Sequence, residues 1–554
     1  MKTIKIICEN NQQTYKIELG SSLEELKKKI YPEENFQFLG ALVNHQLQDL
    51  QYIIMTPIRV KFLEYTSLEG YAIYCRSLIF LLYRSILGLY PFYKLRAEYL
   101  ISNGLYCKIT HPKITPTIDM IAALKAKMQE MVKSNLSIIR EEITTEKACR
   151  LLEKRGLRDK SNLLTDRGKF YSSLYYLDQI PDYFYGTLAP STGYLHTFDL
   201  IPYKEGMLLV LPDRIHPHQL QPVIPQEKLY RTLYENKKWG KILEITDMHH
   251  LNKIVDAKYA EPMIQISEAL HEKKIAEIAD EIKKRRKQIK VILIAGPSSS
   301  GKTTFGKRLA IQLLVNCIKP INLSLDNYFV NRECTPRDEK GEYDYETIEA
   351  LDIATFNDNL QRLLQGEEVE LPKFSFETGK RYYDGRKVKL QKNNVIIVEG
   401  IHGLNPKLTH LLPPNCLFKI FISALTSISI DSHNIIIPSD NRLIRRMVRD
   451  YKYRHNTALD TLKRWESVLL GEKKHIVPYQ EEADAIFNSA LIYELGALKT
   501  QAVPLLREIS QQHPEHSKAL ELLKFFSYIR TVPTESIPPT SILREFLGGS
   551  SFNY

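Results

Sequence analysis

Apolar and polar residues alternate over the first 63 positions as in a small mixed sheet: KTIKII, a polar turn ENNQQ, TYKIEL and a closing PIRVKFL. Between them Ser22-x-x-Glu25 predicts a capped short helix, and a compact β-grasp module over 1–63 accounts for the pattern. From 64 to 235 the period lengthens, predicting helices around Gly70–Leu89, Ile118–Ser134 and Glu146–Lys154, then turn-rich strands in GYLHTFDLIPY and GMLLVLP. This segment reads as a separate α+β domain. In the connecting stretch 236–287, Ile266, Leu270, Ile275, Ile278, Ala279 and Ile282 recur at helical spacing and end in the basic run KKRRK. From 288 to 500 short aliphatic runs, VILI, INLSL, VIIV and LFKIFI, are separated by helical or irregular stretches, as a doubly wound parallel α/β sheet requires. The tail 501–554 turns helical and then proline-punctuated, and is expected to dock at SILREFL and stay loose elsewhere.

The first of those aliphatic runs leads straight into Gly296-Pro297-Ser298-Ser299-Ser300-Gly301-Lys302-Thr303-Thr304. A glycine-rich turn between a buried strand and a helix closes backbone N–H groups around phosphate oxygens, and the helix aims its positive dipole end at the same anion. Lys302 is expected at the β/γ-phosphates and the Thr303 hydroxyl on Mg²⁺. A nucleotide phosphate with Mg²⁺ is therefore the expected ligand.

Two acids follow strands of this sheet, where ligand residues of open α/β sheets lie. Asp326 follows LSL and suits a general base taking the proton of an attacking hydroxyl; Glu399 follows VIIV and suits a role beside the metal. Downstream, Arg442, Arg445, Arg446, Arg449 and Arg454 fall within thirteen residues, with Arg449 and Arg454 expected nearest phosphate.

Composition narrows the setting. With 554 residues and 44% hydrophobic content, several packed domains are expected. A net charge of +11 suits polyanionic ligands, ATP and RNA alike, without choosing between them. The seven cysteines contain no C-x-x-C pair, which argues against a zinc ribbon or a disulfide framework and for reduced thiols in a cytoplasmic protein. The greasiest stretch, Ala72–Tyr93, is interrupted by Arg76 and Arg84, so no membrane span is expected. His216 with His218 and His249 with His250 lack a third ligand at metal spacing and read as turn or surface histidines.

GPSSSGKTT, SLDNYF, YDYETIEALD, LPKFSFETGKR, VEGIHGLN and RLIRRMVRDYKYR, in this order over roughly 288–495, resemble the uridine kinase and phosphoribulokinase family. The resemblance implies transfer of the ATP γ-phosphate to a nucleoside 5′-hydroxyl, with Asp326 as the base, Lys302 and Thr303 on phosphate and metal, and Glu399 beside the metal. It implies that the arginine block is a lid helix and that Asp344 holds the ribose hydroxyls. Where the animal-type enzymes use a tyrosine and a histidine around the pyrimidine, this chain has Phe374 and Gly379. An extra segment, SISIDSHNIIIPSD (427–440), precedes the lid and suits a reshaped substrate entrance or an oligomer contact.

Residues 1 to about 230 resemble the N-terminal part of threonyl-tRNA synthetases, a TGS module followed by an editing-type domain, through GYAIYCRSLIFLLYRSILGLYP and YGTLAPSTGYLHTFDLIP. Positions that carry the metal-binding cluster in the synthetases read Arg76, Phe80, Phe184 and Leu188 here, so editing chemistry is expected to be absent and a scaffold, RNA-contacting or regulatory role to remain. A uridine/cytidine-type nucleoside kinase is the leading expectation. A phosphoribulokinase- or pantothenate-kinase-like small-molecule kinase, and an RNA- or ribosome-associated NTPase switch, stay open beside it.

Overall fold

The computed structural model describes residues 2–33, 36–111, 116–337, 341 and 343–553. Its N-terminal unit is a five-stranded mixed sheet with Thr3–Cys8 between its hairpin partner Gln13–Glu18 and the parallel strand Ile58–Glu64. Phe38–Val43 and Gln46–Gln48, which carry no alternation in the sequence, complete it. Phe38–Val43 is buried throughout, so period-two patterning had nothing to register. The helix Leu23–Ile30 starts on the Ser22/Glu25 capping box.

The next unit is built on α1 (Leu68–Leu89), which packs against a four-stranded and a three-stranded antiparallel sheet. By length and hydropathy α1 alone among the described helices is apolar enough to cross a membrane, yet two-thirds of that apolar stretch is buried inside the protein. GYLHTFDLIPY forms a strand only at Asp199–Tyr203, its first part folding as a short 3₁₀ turn at Thr192–Tyr194.

The connecting helix α2 (Ala260–Lys284) buries Ile275, Ile278, Ala279 and Ile282 as its aliphatic spacing predicts, but in its first half Ile266 is exposed, and Glu268 and His271 turn inward. Glu268 accepts from Tyr493 Oη at 2.6 Å and from Ser541 Oγ at 2.5 Å, and His271 meets Phe487 edge to face. Polar core residues thus hide the first part of the seam from a hydrophobicity pattern.

The C-terminal half contains β1 (Val291–Ala295), α3 (Lys302–Val315), β2 (Lys319–Ser324), a hairpin of β3 (Glu368–Ser375) and β4 (Lys380–Lys389), β5 (Asn394–Glu399), β6 (Leu417–Ser423), α4 (Pro438–Tyr453), α5 (Ala458–His475), β7 (Ala485–Asn488), α6 (Glu494–Arg507) and α7 (His516–Phe526). The main sheet runs β2-β5-β1-β6-β7, all parallel. Both faces are covered, as a parallel sheet demands. Ile292 and Ile294 join a core that reaches from Leu39 to Leu547, whereas Val291, Leu293 and Ala295 join a second core under the β3–β4 hairpin. The α/β doubly wound fold, the β-grasp sheet and the α+β unit are therefore all present.

The tail does not stay loose outside SILREFL. Tyr528, Ile529, Val532 and Ile537 are buried, and Arg544 donates to the Thr534 and Ile537 carbonyls, tying the proline-rich stretch to the segment that follows it. All seven cysteines are free thiols. His249 sits against Asp166 at 2.8 Å and His250 against Asp247 at 2.6 Å, each paired with a carboxylate from its neighbourhood.

Candidate active site

β1 ends at Ala295, and the chain turns through Gly296 to Gly301 before α3 begins. A side chain at Gly296 would meet the Ile422 carbonyl oxygen at 2.0 Å, and Gly301 has φ of +83° with Ile542 where its Cβ would stand. Both positions therefore demand glycine. Inside the loop the Pro297 carbonyl accepts from Ser300 N–H at 3.2 Å and from Lys302 Nζ at 3.1 Å. Ser299 Oγ and Ser300 Oγ are buried without a protein partner, a shortage that a phosphate oxygen would relieve.

Register places the acids. Glu399, the last residue of β5, lies opposite Ile294 of β1 and Ser324 of β2, so it stands at the sheet edge from which the loop springs. Thr303 Oγ1 lies 3.1 and 3.2 Å from its two carboxylate oxygens. Burial, seconded by the neighbouring Asp326 carboxylate, pushes Glu399 up to about 7 against the pull of Lys302. Such a hydroxyl and carboxylate pair, with a second acid nearby, is the oxygen donor set that Mg²⁺ takes. Asp326 stands in a 3₁₀ turn just beyond β2, where its charge acts on Lys302, Glu399 and Arg454. Burial draws Lys302 below its usual range, opposed by Glu399, Asp326 and Glu545 and reinforced by Arg449.

The arginines of α4 come over the loop. Arg442 donates to the Ser298 carbonyl at 3.1 Å and pairs with Glu472 of α5 at 2.6 Å; Arg446 donates to Ser298 Oγ at 3.1 Å. Arg445, wholly buried, bonds the Ser489 carbonyl at 2.8 Å, pairs with Glu494, and reaches the Ser299 carbonyl at 3.4 Å. Arg449 and Arg454 lie farther along, at 2.7 and 3.7 Å from Asp450. Arg449 sits where it perturbs Lys302, and Arg454 where it feels Asp326. The three upstream arginines thus bond the loop, whereas Arg449 and Arg454, the two singled out from the sequence, pair with Asp450 instead.

On the other side of Asp326, Phe374 packs its ring 5.6 Å from Phe329 and 5.2 Å from Phe376, and its N–H donates to Asn327 at 3.4 Å. Tyr345 meets Phe329 at 6.2 Å, and Arg454 covers Phe376 at 5.9 Å. This aromatic wall joins the Asp326 turn to the end of the lid. Asp344 accepts from the Glu346 N–H at 3.0 Å nearby. Gly379, with φ of +68°, packs on Arg332 and carries no group toward a base.

Two acids escaped the sequence reading. Glu346 is pushed up to about 7 by burial, with Arg446 and Lys302 opposing and Glu472 and Asp344 adding to the rise. Its signal was present in YDYE, two residues after Asp344. Glu545 comes from the tail: Thr304 donates to its carboxylate from Oγ1 at 2.6 Å and from N–H at 3.4 Å. Nothing local to the loop predicts it.

Residues 291–493 match the sequence model of the Phosphoribulokinase / Uridine kinase family. This segment is a kinase domain of that family. The kinase domain has relatives among curated uridine kinases: that of Schizosaccharomyces pombe is 27% identical over 255 residues, 45% of this chain and 50% of its own length. A Clostridium botulinum uridine kinase is 27% identical over 198 residues, 35% of this chain and 86% of that protein. The N-terminal region is similar to the threonine–tRNA ligase of Clostridium kluyveri, 27% identical over 191 residues, 34% of this chain and 30% of the ligase. The chain thus spans half of the yeast kinase and under a third of the ligase. Among solved structures, a possible uridine kinase from Bacillus stearothermophilus aligns over 39% of this chain and all of its own, at 19% identity and a TM-score of 0.26.

Proposed function

We propose that this protein is an ATP-dependent nucleoside kinase of the uridine/cytidine kind, moving the γ-phosphoryl group to a nucleoside 5′-hydroxyl. The observation that supports the reading is that the charge of Asp326 acts on both Lys302 of the loop and Arg454 beyond α4, while Phe329, three residues on, belongs to the aromatic wall. Asp326 takes the proton of the attacking hydroxyl, Lys302 meets the β/γ-phosphates, and Arg446, Arg449 and Arg454 stabilise charge that spreads over the transferring oxygens. Thr303 and Glu399 would hold Mg²⁺, whose charge would offset that of the terminal phosphates.

A flat base suits Phe374, Phe376 and Phe329, and Asp344 suits the ribose hydroxyls. An open-chain sugar phosphate would gain nothing from such a wall, which favours a nucleoside over a phosphoribulokinase-type acceptor. With Phe374 and Gly379 offering no polar side-chain group, the base is read mainly by stacking, so discrimination between uracil and cytosine is weak. The test is a panel of nucleosides, ribulose 5-phosphate and pantothenate with ATP and Mg²⁺. Formation of a nucleoside 5′-monophosphate is expected; phosphorylation of a non-nucleoside alone, or of nothing, overturns the reading.

A further inference from the structure

The extra segment before the lid is gripped by the synthetase-like half. Ser429 O accepts from the Met248 N–H at 3.0 Å, its Oγ from Arg96 at 3.2 Å, and Ser432 O from the Ala97 N–H at 2.8 Å. The Ser432 N–H donates to Asp159 at 2.6 Å. Asn434 donates to the Tyr183 carbonyl at 3.2 Å and accepts from the Tyr185 N–H at 3.4 Å.

His433 then enters the interior of that half. Its ring lies 4.5 Å from Tyr83 and is stacked on Phe184, which itself packs 5.4 Å from Phe80. His433 Nδ1 is 2.7 Å from Asp182 Oδ2 and 3.0 Å from Lys160 Nζ, and Lys160 also pairs with Asp182 and donates to the Tyr183 carbonyl at 2.9 Å. Lys160, Asp182, Asp431 and His433 are all fully buried. Burial pushes Asp182 up, yet Lys160 and His433 outweigh it and hold the carboxylate below its usual range. His433 Nε2 has no partner, so the polar hold on the ring runs through Nδ1. Buried ion clusters give little net stability against apolar replacements, but they do fix one arrangement, because any displacement strands a charge.

Five residues after His433 the chain begins α4, whose Arg442, Arg445 and Arg446 bond Ser298 and Ser299 of the phosphate loop. Lys518 of α7 adds a second hold, at 2.9 Å from Asp440 in the first turn of α4. A short backbone link, anchored by bonded side chains at both ends, therefore leads from the interior of the synthetase-like half to the loop.

We infer that the synthetase-like half works as a clamp on the lid helix, with Lys160, Asp182, His433 and Asp159 as positioning residues for the arginines that close the kinase site. The clamp rests on the kinase reading for its catalytic consequence, but its mechanical part stands by itself. A lid held at its N-terminal end keeps Arg442, Arg445 and Arg446 in register with the loop, while its far end, with Arg449 and Arg454, meets the acceptor. The half similar to a tRNA ligase thereby acts on phosphoryl transfer without touching either substrate.

The experiment uses the full chain and three variants. His433→Phe keeps the ring between Tyr83 and Phe184 and removes Nδ1. Asp159→Ala removes the acceptor for the Ser432 N–H at a half-buried position and serves if His433→Phe fails to fold. Asp159→Asn is the conservative variant that keeps an acceptor oxygen. Amide hydrogen exchange is followed over 427–453 and over 291–295, beside kcat and KM for nucleoside and ATP. The expected result is exchange at least tenfold faster across the lid in His433→Phe and Asp159→Ala, unchanged exchange in β1, kcat at least tenfold lower, and substantial recovery in Asp159→Asn. Lid exchange at the wild-type rate in both variants overturns the clamp, and so does faster exchange with kcat and KM within twofold of wild type. Should the wild-type protein phosphorylate no nucleoside, the proposed function falls, while the exchange measurement still decides whether the half holds the lid.

Discussion

Thr304 of the phosphate-loop helix donates to Glu545 of the C-terminal segment, Oγ1 to Oε2 at 2.6 Å. A carboxylate from the far end of the chain thus occupies the first turn of the helix, where orphan N–H groups and the dipole attract anions. The same segment lays Ile542 over Gly301.

ATP brings its own anion to that turn, and Glu545 competes with it. Glu545→Gln is expected to lower KM for ATP about tenfold, equivalent to about 1.4 kcal/mol, with Glu545→Ala at least as large in the same direction. Initial rates against ATP concentration check this; an unchanged or raised KM would show that Glu545 helps to build the ATP site.

Asp326→Asn keeps shape and removes the proton acceptor. Turnover should fall by about 10²–10⁴, the usual contribution of a general base, while binding of a fluorescent ATP analogue stays within about threefold. A comparable loss of nucleotide binding would assign Asp326 to the phosphates.

Glu399, pushed up to about 7, gives two pH effects of opposite sign. Metal-dependent turnover needs the carboxylate and is expected to fall as pH drops through about 7. Stability runs the other way: because the folded-state value lies above that of the unfolded chain, the native form binds the extra proton between the two, and the cost of burying the charge grows as pH rises toward 7. Glu399→Gln should therefore raise Tm at pH 8, by about 1–3 kcal/mol in stability, and have little effect at pH 4. Added Mg²⁺-ATP should narrow the gap between variant and wild type at pH 8. A Tm difference independent of pH would refute the assignment.

On the proposed function the aromatic wall carries the nucleoside base. Phe374→Ala is expected to raise nucleoside KM about 5- to 100-fold, the range of a lost base stack of about 1–3 kcal/mol, and to leave KM for ATP alone. Phe376→Ala, on the more exposed side of the wall, should show a smaller effect of the same kind, and equal effects on both substrates would place the ring elsewhere in the reaction.

What the sequence made legible was local. Gly296 to Thr304, Asp326 and Glu399 each sit within a few residues of an aliphatic strand; strand register brings Glu399 to the loop, and Asp326 follows in the turn after the neighbouring strand. Phe374 and Asp344 came through the family resemblance, because β3 and the loop before it carry no pattern of their own that points at a site. Glu545 lies 241 residues from Thr304 and was out of reach of any local rule. The second half of the α2 seam was read correctly, and the first half was missed because Glu268 and His271 turn inward to meet Tyr493, Ser541 and Phe487. His433 was visible only as part of an unexplained insertion. Its meaning depends on Lys160 and Asp182, two ordinary-looking charges that the fold removes from water.

The apolar core that runs from Leu39 to Leu547 has an evolutionary consequence. Residues of the ligase-like unit, the kinase domain and the tail fill one interior, so a genetic break between them would leave each product with greasy surface that neither was selected to expose. Once joined in this way, the two ancestral pieces mutate against one another and are inherited as a single unit, a union far easier to make than to undo.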